Sequence, residues 1–295
     1  MAGALSVLAV ATAAVTRERR RASRVARAKI IVRRGVRVLL AVDIGSSSVR
    51  CSAYTVGSPP VLVPGCAVQL KHTIVKEDGM ADAEQVILLV DAAVDKCFGE
   101  LRARKVAHAV IAVGFACFGM NLVGVNAGGK PCTPVFTYAG SSGASCGPSP
   151  MGRGGKGGLE EARRRTGAPT HVSYAPAQLL RWLQETTTAG TVKVWQTLPS
   201  IIAARWCCLR SAPVSYSEAS WTGMLDLRKL EWDTPTLSVL REAGFDCSAL
   251  PRLADIGDLQ AGASGSTLKR WPELDGASIR LGLGDGAAAC LGSGC

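Results

Sequence analysis

The sequence contains few of the residues that build metal centres and aromatic cores. Among its 295 residues are 3 His, 4 Tyr and 5 Phe, and its 11 cysteines are scattered without a CxxC pair. Paired cysteines and clustered histidines are the usual zinc ligands, so the sequence argues against a zinc site. We interpret the cysteines as mostly buried thiols of a protein in a reducing compartment.

Long apolar runs are also missing. No stretch after the N-terminal segment approaches the roughly 18 uninterrupted apolar residues of a membrane span, so we expect no membrane partner. Apolar residues still make up 47% of the chain, with aliphatic side chains far outnumbering aromatic ones. This composition is typical of a globular protein with an aliphatic α/β core.

Acidic residues are scarce only at the N-terminus. The net charge of +11 comes from 34 basic and 23 acidic residues. Ten of the basic residues but only one acidic residue, Glu18, lie in residues 1–37, so the rest of the chain carries 24 basic and 22 acidic side chains. Because this remainder is almost neutral, the charge does not indicate a surface for nucleic acid, and we expect no nucleic-acid partner.

Residues 1–35 have the composition of a targeting segment. They are rich in Ala, Ser and Arg, and a short apolar run, Ala4–Val15, precedes the arginines. A secretory signal has the opposite order, so we predict a transit peptide for a chloroplast or mitochondrion. The alternative is a solvated basic tail without a targeting role, on a cytoplasmic protein.

Periodicity predicts an α/β domain over residues 36–295. We expect a helix after Asp82, which stands three residues before Gln85 as in a capping box. A Gly/Ser/Pro-rich segment, 140–158, predicts an exposed, mobile loop. Strands are predicted at Val36–Ile44, Ser48–Val56, Pro59–Leu70 and Val106–Ala116, a hairpin with its turn at Asn126–Gly129, and further helices at Leu159–Thr166, Ala175–Gln184, Leu198–Leu209 and Asp233–Ala243.

Asp43 stands near the end of the first apolar strand and precedes a glycine and three serines. A buried carboxylate costs several kcal/mol unless polar or charged groups satisfy it. A phosphate–metal complex on the hairpin would do so: Gly45 would let the backbone approach, Ser46, Ser47 and Ser48 would hold phosphoryl oxygens, and Asp43 would hold Mg²⁺ through water. The alternative is an ordinary hairpin in which Asp43 caps its own turn.

Asp285 occupies a similar position near the C-terminus, in the segment "LGLGDGAAAC". It follows a short apolar strand, lies between two glycines and precedes a helical pattern. Its carboxylate would therefore project into a cleft, where it could accept the proton of a substrate hydroxyl as the acid/base group of a phosphoryl transfer. The alternative is a simple helix N-cap.

Five segments in this order resemble the N-terminal domain of the FGGY family of carbohydrate kinases, most closely its gluconokinase-like branch. They are "VDIGSSSVR", "FGMNLVGVNAGGKPCTPVFTYA", "RRRTGAPTHVSYAPAQLLRWL", "YSEASWTGMLDLRKLEWD" and "LGDGAAACLGSGC".

The resemblance implies an actin-like, ribonuclease H-type α/β fold with a mixed sheet and flanking helices. It also implies phosphorylation of a sugar, polyol or sugar acid with ATP and Mg²⁺. The family's phosphate-hairpin aspartate falls on Asp43, its catalytic base on Asp285 and a sugar-contacting aromatic residue on Tyr174.

Several positions depart from the family pattern and leave the identity of the sugar open. Gly140 stands where many relatives have an acid, and Trp221 where a glycine is more usual. In the segment "FACFGMNLVG" most of the polar residues that read the substrate are replaced, which leaves Asn121 as the candidate contact.

Length is the larger departure, since members of the family carry a second lobe that supplies most of the adenosine pocket. We therefore expect one lobe of a normally two-lobed kinase, completed by a second lobe or by a homodimer. A non-catalytic sugar-binding or regulatory remnant of such a kinase is the alternative.

Overall fold

The computed structural model describes residues 36–76, 78–104, 108–140, 155–169, 171–187, 189–259 and 261–294. The predicted targeting segment and most of the predicted loop at 140–158 lie outside these residues.

The described residues form a mixed α/β structure. The strands in chain order are β1 (Val36–Ile44), β2 (Ser48–Thr55), β3 (Val61–Lys71), β4 (Met80–Ala81), β5 (His108–Cys117), β6 (Asn121–Val125), β7 (Val135–Thr137), β8 (Val194–Thr197), β9 (Val214–Ser215), β10 (Leu225–Asp226), β11 (Glu231–Trp232), β12 (Leu253–Ala254), β13 (Ser278–Ile279) and β14 (Leu283–Gly284). The α-helices are α1 (Ala83–Ala103), α2 (Gly155–Thr166), α3 (Ala175–Glu185), α4 (Leu198–Trp206), α5 (Tyr216–Ser220), α6 (Thr234–Glu242), α7 (Gly265–Arg270) and α8 (Asp285–Ser293).

The main sheet combines an antiparallel meander with parallel strands. β1, β2 and β3 pair antiparallel in sequence order, as predicted. β5 lies parallel to the other side of β1, and β13 and β14 both pair parallel with β5. The carboxyl ends of β1, β5 and β14 therefore meet at one edge of the sheet, where ligands bind in open α/β sheets.

Helix α1 covers one face of the meander. The Asp82 carboxylate accepts bonds from the backbone N–H groups of Glu84 and Gln85, which confirms the predicted N-cap. The helix packs on β2 and β3. Its buried face repeats with the helical period: Val86, Ile87, Val90, Ala93, Val94, Cys97, Phe98 and Leu101.

A smaller antiparallel sheet, in the order β4, β7, β6, β8, lies beside the main one. β6 and β7 form the predicted hairpin, and Gly129 N–H donates to Asn126 O across its turn at 3.0 Å. A core of Trp195, Phe136 and Leu179 packs under this sheet. This unit supports the segment at 118–120, which links β5 to β6.

Boundaries differ from the prediction at two helices. Helix α2 begins at Gly155, inside the segment predicted as a loop, and α4 ends at Trp206 because Cys207 closes it as C-cap. Among the described cysteines five are buried, two are half-buried and two are exposed, and all are free thiols. Within the described ranges no helix has the length and apolarity needed to cross a membrane.

Candidate active site

Asp43 and Asp285 are brought to the same edge of the sheet. On β1, Asp43 is paired in register with Ala116 of β5, while Gly284 of β14 is paired with Cys117. Asp285 follows Gly284 directly, so both aspartates lie where neighbouring parallel strands end. Burial raises the pKa of the Cys117 thiol the most, and the negative charges of Asp43 and Asp285 are among the groups that raise it further.

The glycine of the first hairpin is required by a close backbone approach. Gly45 N–H donates to Ser48 O at 3.0 Å, and a Cβ atom at residue 45 would lie 2.9 Å from that oxygen. The His72 ring contacts Gly45 O from the end of β3 at 3.1 Å. The turn from residue 45 to 48 is therefore held from both sides, and a larger residue at 45 would push it open.

The three serines of the hairpin differ in exposure. Ser46 is half-buried and Ser47 is exposed, whereas Ser48 is buried at the start of β2 and its hydroxyl accepts a bond from Gln69 at 3.1 Å. The Ser46 hydroxyl accepts a bond from the Tyr138 hydroxyl at 3.1 Å. Ser46 and Ser47 thus present the more accessible groups of the predicted phosphate cradle.

Asp43 has a partner that was not predicted from the sequence. Its Oδ2 lies 2.7 Å from Nη1 of Arg50, the residue opposite it on β2, and Asp43 is 8% exposed. The buried charge is therefore offset within the protein. The sequence does indicate this ion pair. Residues 43 and 50 flank a tight turn, so they face each other in an antiparallel hairpin.

Asp285 opens helix α8 but does not cap it. The N-cap is Gly284, and Asp285 is the first helical residue. Its Oδ1 accepts a bond from Gly286 N–H at 2.8 Å, and the side chain is exposed. The structure therefore gives Asp285 the cleft-facing position expected of a proton acceptor, and the N-cap alternative is wrong.

A cavity of about 690 Å³ joins these groups. It is lined by the hairpin residues and Asp43 and also by Tyr174 and Asp285 among apolar side chains. Tyr174 stands at the N-cap of α3 and packs on Gly223, where a Cβ would lie 3.0 Å from its ring. The lining comprises Asp43, Gly45, Ser46, Ser47, Ser48, Arg50, Ala116, Phe118, Gly119, Met120, Tyr138, Ser173, Tyr174, Trp221, Asp285, Gly286 and Ala289.

Asn121 does not belong to this lining, and the expected substrate contact is corrected. The residue is 5% exposed. Its amide donates to Phe118 O and accepts from Leu198 N–H, both at 2.8 Å. Both ends of the amide are thus used to fix the β5–β6 link to the start of α4. Asn121 is the polar residue of this apolar segment because it makes these two structural hydrogen bonds.

Three of the lining residues that were not predicted as site residues stand out. Met120 is buried with a left-handed φ of 57°, a conformation that is unusual for a side chain of its size and that clusters at ligand sites. Tyr138 packs edge-on against Phe118, with ring centroids 6.2 Å apart. Trp221 is 38% exposed within the cavity. One indication of its role was present in the sequence, because Trp221 stands where a glycine is more usual in the family.

A buried carboxyl group lies behind the cleft. Glu218 is 3% exposed, and its carboxyl oxygens have no hydrogen-bond partner among the described residues. Burial raises its pKa to about 8. The nearby Thr197 hydroxyl acts in the opposite direction but shares its bond with Ser200 at 3.0 Å, so burial dominates. Glu218 is therefore protonated in the folded protein at neutral pH.

The donor set fits Mg²⁺ held together with nucleotide phosphates. The described residues contain no cluster of three or more metal-ligating side chains, which excludes an all-protein cage from that part of the chain. Mg²⁺ prefers oxygen ligands and is usually held by one or two carboxylates, waters and phosphates. The Arg50 ion pair uses Asp43 Oδ2, so Oδ1 remains to hold a metal-bound water.

Solved structures of sugar and polyol kinases share this fold. The gluconate kinase from Lactobacillus acidophilus superposes with a TM-score of 0.69 at 19% identity, covering 85% of this chain and 48% of that one. Xylulose kinase from the same organism gives 0.68 at 19% identity, with 85% and 49% covered. Plasmodium falciparum glycerol kinase with ADP gives 0.68 at 14% identity, with 86% and 50% covered.

These likenesses confirm the actin-like α/β fold with a mixed sheet and flanking helices. The chain spans about half the length of the solved structures that it matches. No curated protein matches the chain. The model of the N-terminal domain of FGGY carbohydrate kinases matches residues 38–292, which include both aspartates and nearly all of the described structure. The chain therefore belongs to the FGGY family of carbohydrate kinases.

Proposed function

We propose that the chain carries the phosphate-binding and acceptor-binding half of an ATP-dependent kinase for a sugar, polyol or sugar acid. The observation that carries this proposal is the placement of Asp43 and Asp285 at the ends of strands on either side of β5, in one cavity. Phosphoryl transfer depends mainly on positioning and charge stabilisation. We assign the hairpin and Asp43 to a phosphate end of the cavity, and Tyr174 and Asp285 to an acceptor end.

Each part of the cavity has a distinct task in this proposal. The backbone and hydroxyl groups of Ser46 and Ser47 would bind phosphoryl oxygens, and Asp43 would hold Mg²⁺ through water. When bound, Mg²⁺ would neutralise phosphate charge. Asp285 accepts the proton of the attacking hydroxyl, whose carbon skeleton lies against Tyr174. Asp285 is exposed and starts a helix, so it is accessible to the acceptor.

ATP and Mg²⁺ as cofactors and import into an organelle through residues 1–35 are parts of the same proposal. The likeness to the gluconokinase-like branch is one of sequence motifs, and in this proposal it leaves the acceptor open. The described cavity is lined by a chain of about half the length of the kinases that it matches, and adenosine needs more buried surface than the hairpin offers. Closure excludes water, so that phosphate reaches the acceptor hydroxyl and not water. We therefore propose that a second lobe, in the same chain or a partner chain, closes over the cavity.

A coupled ADP-release assay with ATP and Mg²⁺ tests this function, with gluconate, xylulose, ribulose and glycerol as acceptors. Residues 36–295 alone should show negligible acceptor-dependent turnover, and the same residues joined to a C-terminal kinase lobe should show robust turnover. Acceptor binding without turnover in the joined protein would favour a sugar-binding or regulatory remnant. Robust turnover by residues 36–295 alone would contradict the need for a second lobe.

A further inference from the structure

The indole of Trp221 lines the cavity and packs against glycines from two segments that border it. A Cβ atom placed on Gly119 would lie 2.8 Å from ring atom Cε3, and one placed on Gly286 would lie 3.4 Å from Cζ2. A Cβ atom on Gly284 would overlap ring atom Nε1. Gly119 belongs to the β5–β6 link, and the other two glycines flank Asp285. The ring therefore fits because Gly119 and Gly284, which come from two distant segments, lack side chains, whereas a methyl group at residue 286 would only touch it.

Trp221 does not serve as a core residue. The buried apolar clusters of the described structure do not include it, and 38% of its surface remains exposed in the cavity. Within the described part of the chain its indole N–H has no hydrogen-bond partner. A large aromatic ring with a free N–H donor beside a proton acceptor is suited to contact a ligand.

The acceptor end around this ring is poor in charge. Phe118, Met120, Tyr174 and Trp221 supply its apolar surface. Arg50 is the one cation among the described lining residues, and it is paired with Asp43 at the phosphate end. The described walls thus offer an apolar face, few polar groups and no free cation for a substrate carboxylate.

We propose that Trp221 contacts the acceptor and favours an uncharged polyol or sugar over a sugar acid. The uncharged acceptor presents a C–H face to the indole. This inference rests on the proposed kinase function and names the substrate class of the same site. The ring packs against the carbon skeleton, and its N–H donates to an acceptor hydroxyl. Both contacts hold that hydroxyl beside Asp285, so Trp221 acts on specificity and leaves proton transfer to Asp285.

The test compares Trp221→Gly, which removes the ring, with Trp221→Phe, which retains an aromatic face. Calorimetry measures the binding of xylitol, glycerol and gluconate to the full chain, and thermal unfolding confirms that each variant is folded. Trp232→Phe is the matched control, because the Trp232 indole donates to Pro251 O at 3.0 Å and lies outside the cavity lining.

We expect the parent to bind a neutral polyol at least about tenfold more tightly than gluconate, since leaving buried polar groups unpaired costs that much or more. Trp221→Gly should lose about tenfold in neutral polyol affinity, the size expected for an aromatic contact, and Trp221→Phe should retain most of it. Binding should change the tryptophan fluorescence of the parent and of Trp232→Phe but not that of Trp221→Phe.

Gly119→Ala provides a second perturbation that retains the indole. The added methyl group would displace the ring, so its effect should follow that of Trp221→Gly even if the latter is poorly folded. Gluconate affinity equal to or above that of the polyols, or unchanged binding in Trp221→Gly, would overturn the specificity inference and leave the kinase proposal standing. If no acceptor binds the chain or is phosphorylated when a second lobe is supplied, both fail.

Discussion

Replacing Glu218 with Gln should remove a pH-dependent loss of stability. The folded protein holds this carboxyl group in its neutral form, with a pKa of about 8 against an ordinary value of 4.5. The unfolded chain binds fewer protons than the folded chain between these values, so the free energy of unfolding falls as pH rises from about 4.5 to about 8. Each pKa unit is worth about 1.4 kcal/mol, which gives an upper limit of roughly 5 kcal/mol.

Urea unfolding of the full chain at pH 5 and pH 8 measures this effect. Gln has the size of a protonated Glu and does not titrate, so Glu218→Gln should lose less stability than the parent between the two pH values, by a few kcal/mol. The other carboxyl groups and His72 contribute equally to the pH dependence of the parent and of Glu218→Gln, so their contributions cancel when the two proteins are compared.

Glu185→Gln is the matched control for this experiment. Its side chain is 67% exposed and forms a helical i,i+4 pair with Arg181 at 3.9 Å, so it should retain the pH dependence of the parent. If Glu218→Gln shows the same loss between pH 5 and pH 8 as the parent, the group is ionised in the folded protein and our account of its burial is wrong.

Three further predictions concern the proposed function. Asp43→Asn keeps the shape but loses the charge that orients a metal-bound water, so calorimetry should show roughly 10- to 100-fold weaker Mg²⁺-nucleotide binding with the fold retained; equal affinity would return Asp43 to an ion-pairing role with Arg50. Asp285→Asn, in a chain completed with a second lobe, should lose about 100-fold or more in turnover with little change in acceptor affinity, and preserved turnover would exclude it as the base. Protein isolated from its native cells should begin near Val36 on N-terminal sequencing, and an intact N-terminus would contradict the transit peptide.

Local patterns in the sequence predicted most of the fold. The meander, α1 with its Asp82 cap and the β6–β7 hairpin follow from periodicity and turn chemistry within short segments. Both aspartates were identified because strand ends and glycines mark them. The start of α2 was missed because Gly155 and its glycine neighbours have low helix propensity. The helix nevertheless begins at Gly155 in the folded protein.

The errors in the site come mainly from contacts that are distant in the chain. Asn121 was assigned to the substrate because the residue that uses its carbonyl oxygen, Leu198, lies 77 positions away. The position of the Trp221 ring depends on glycines at 119 and 284, which no local pattern connects. The Arg50 partner of Asp43 was also missed, although the register of a tight hairpin sets the two residues opposite each other.

The pairing of β14 with β5 has a consequence for biosynthesis. The hairpin that carries Asp43 belongs to a meander of neighbouring strands, which can form early on the ribosome, where chains fold from the N-terminus. Asp285 joins it only after β14 reaches β5 across more than 160 intervening residues, and such long loops close slowly. A nascent chain therefore presents the turn at residues 45–48 well before Asp285, and the two come together only when β14 has left the ribosomal tunnel.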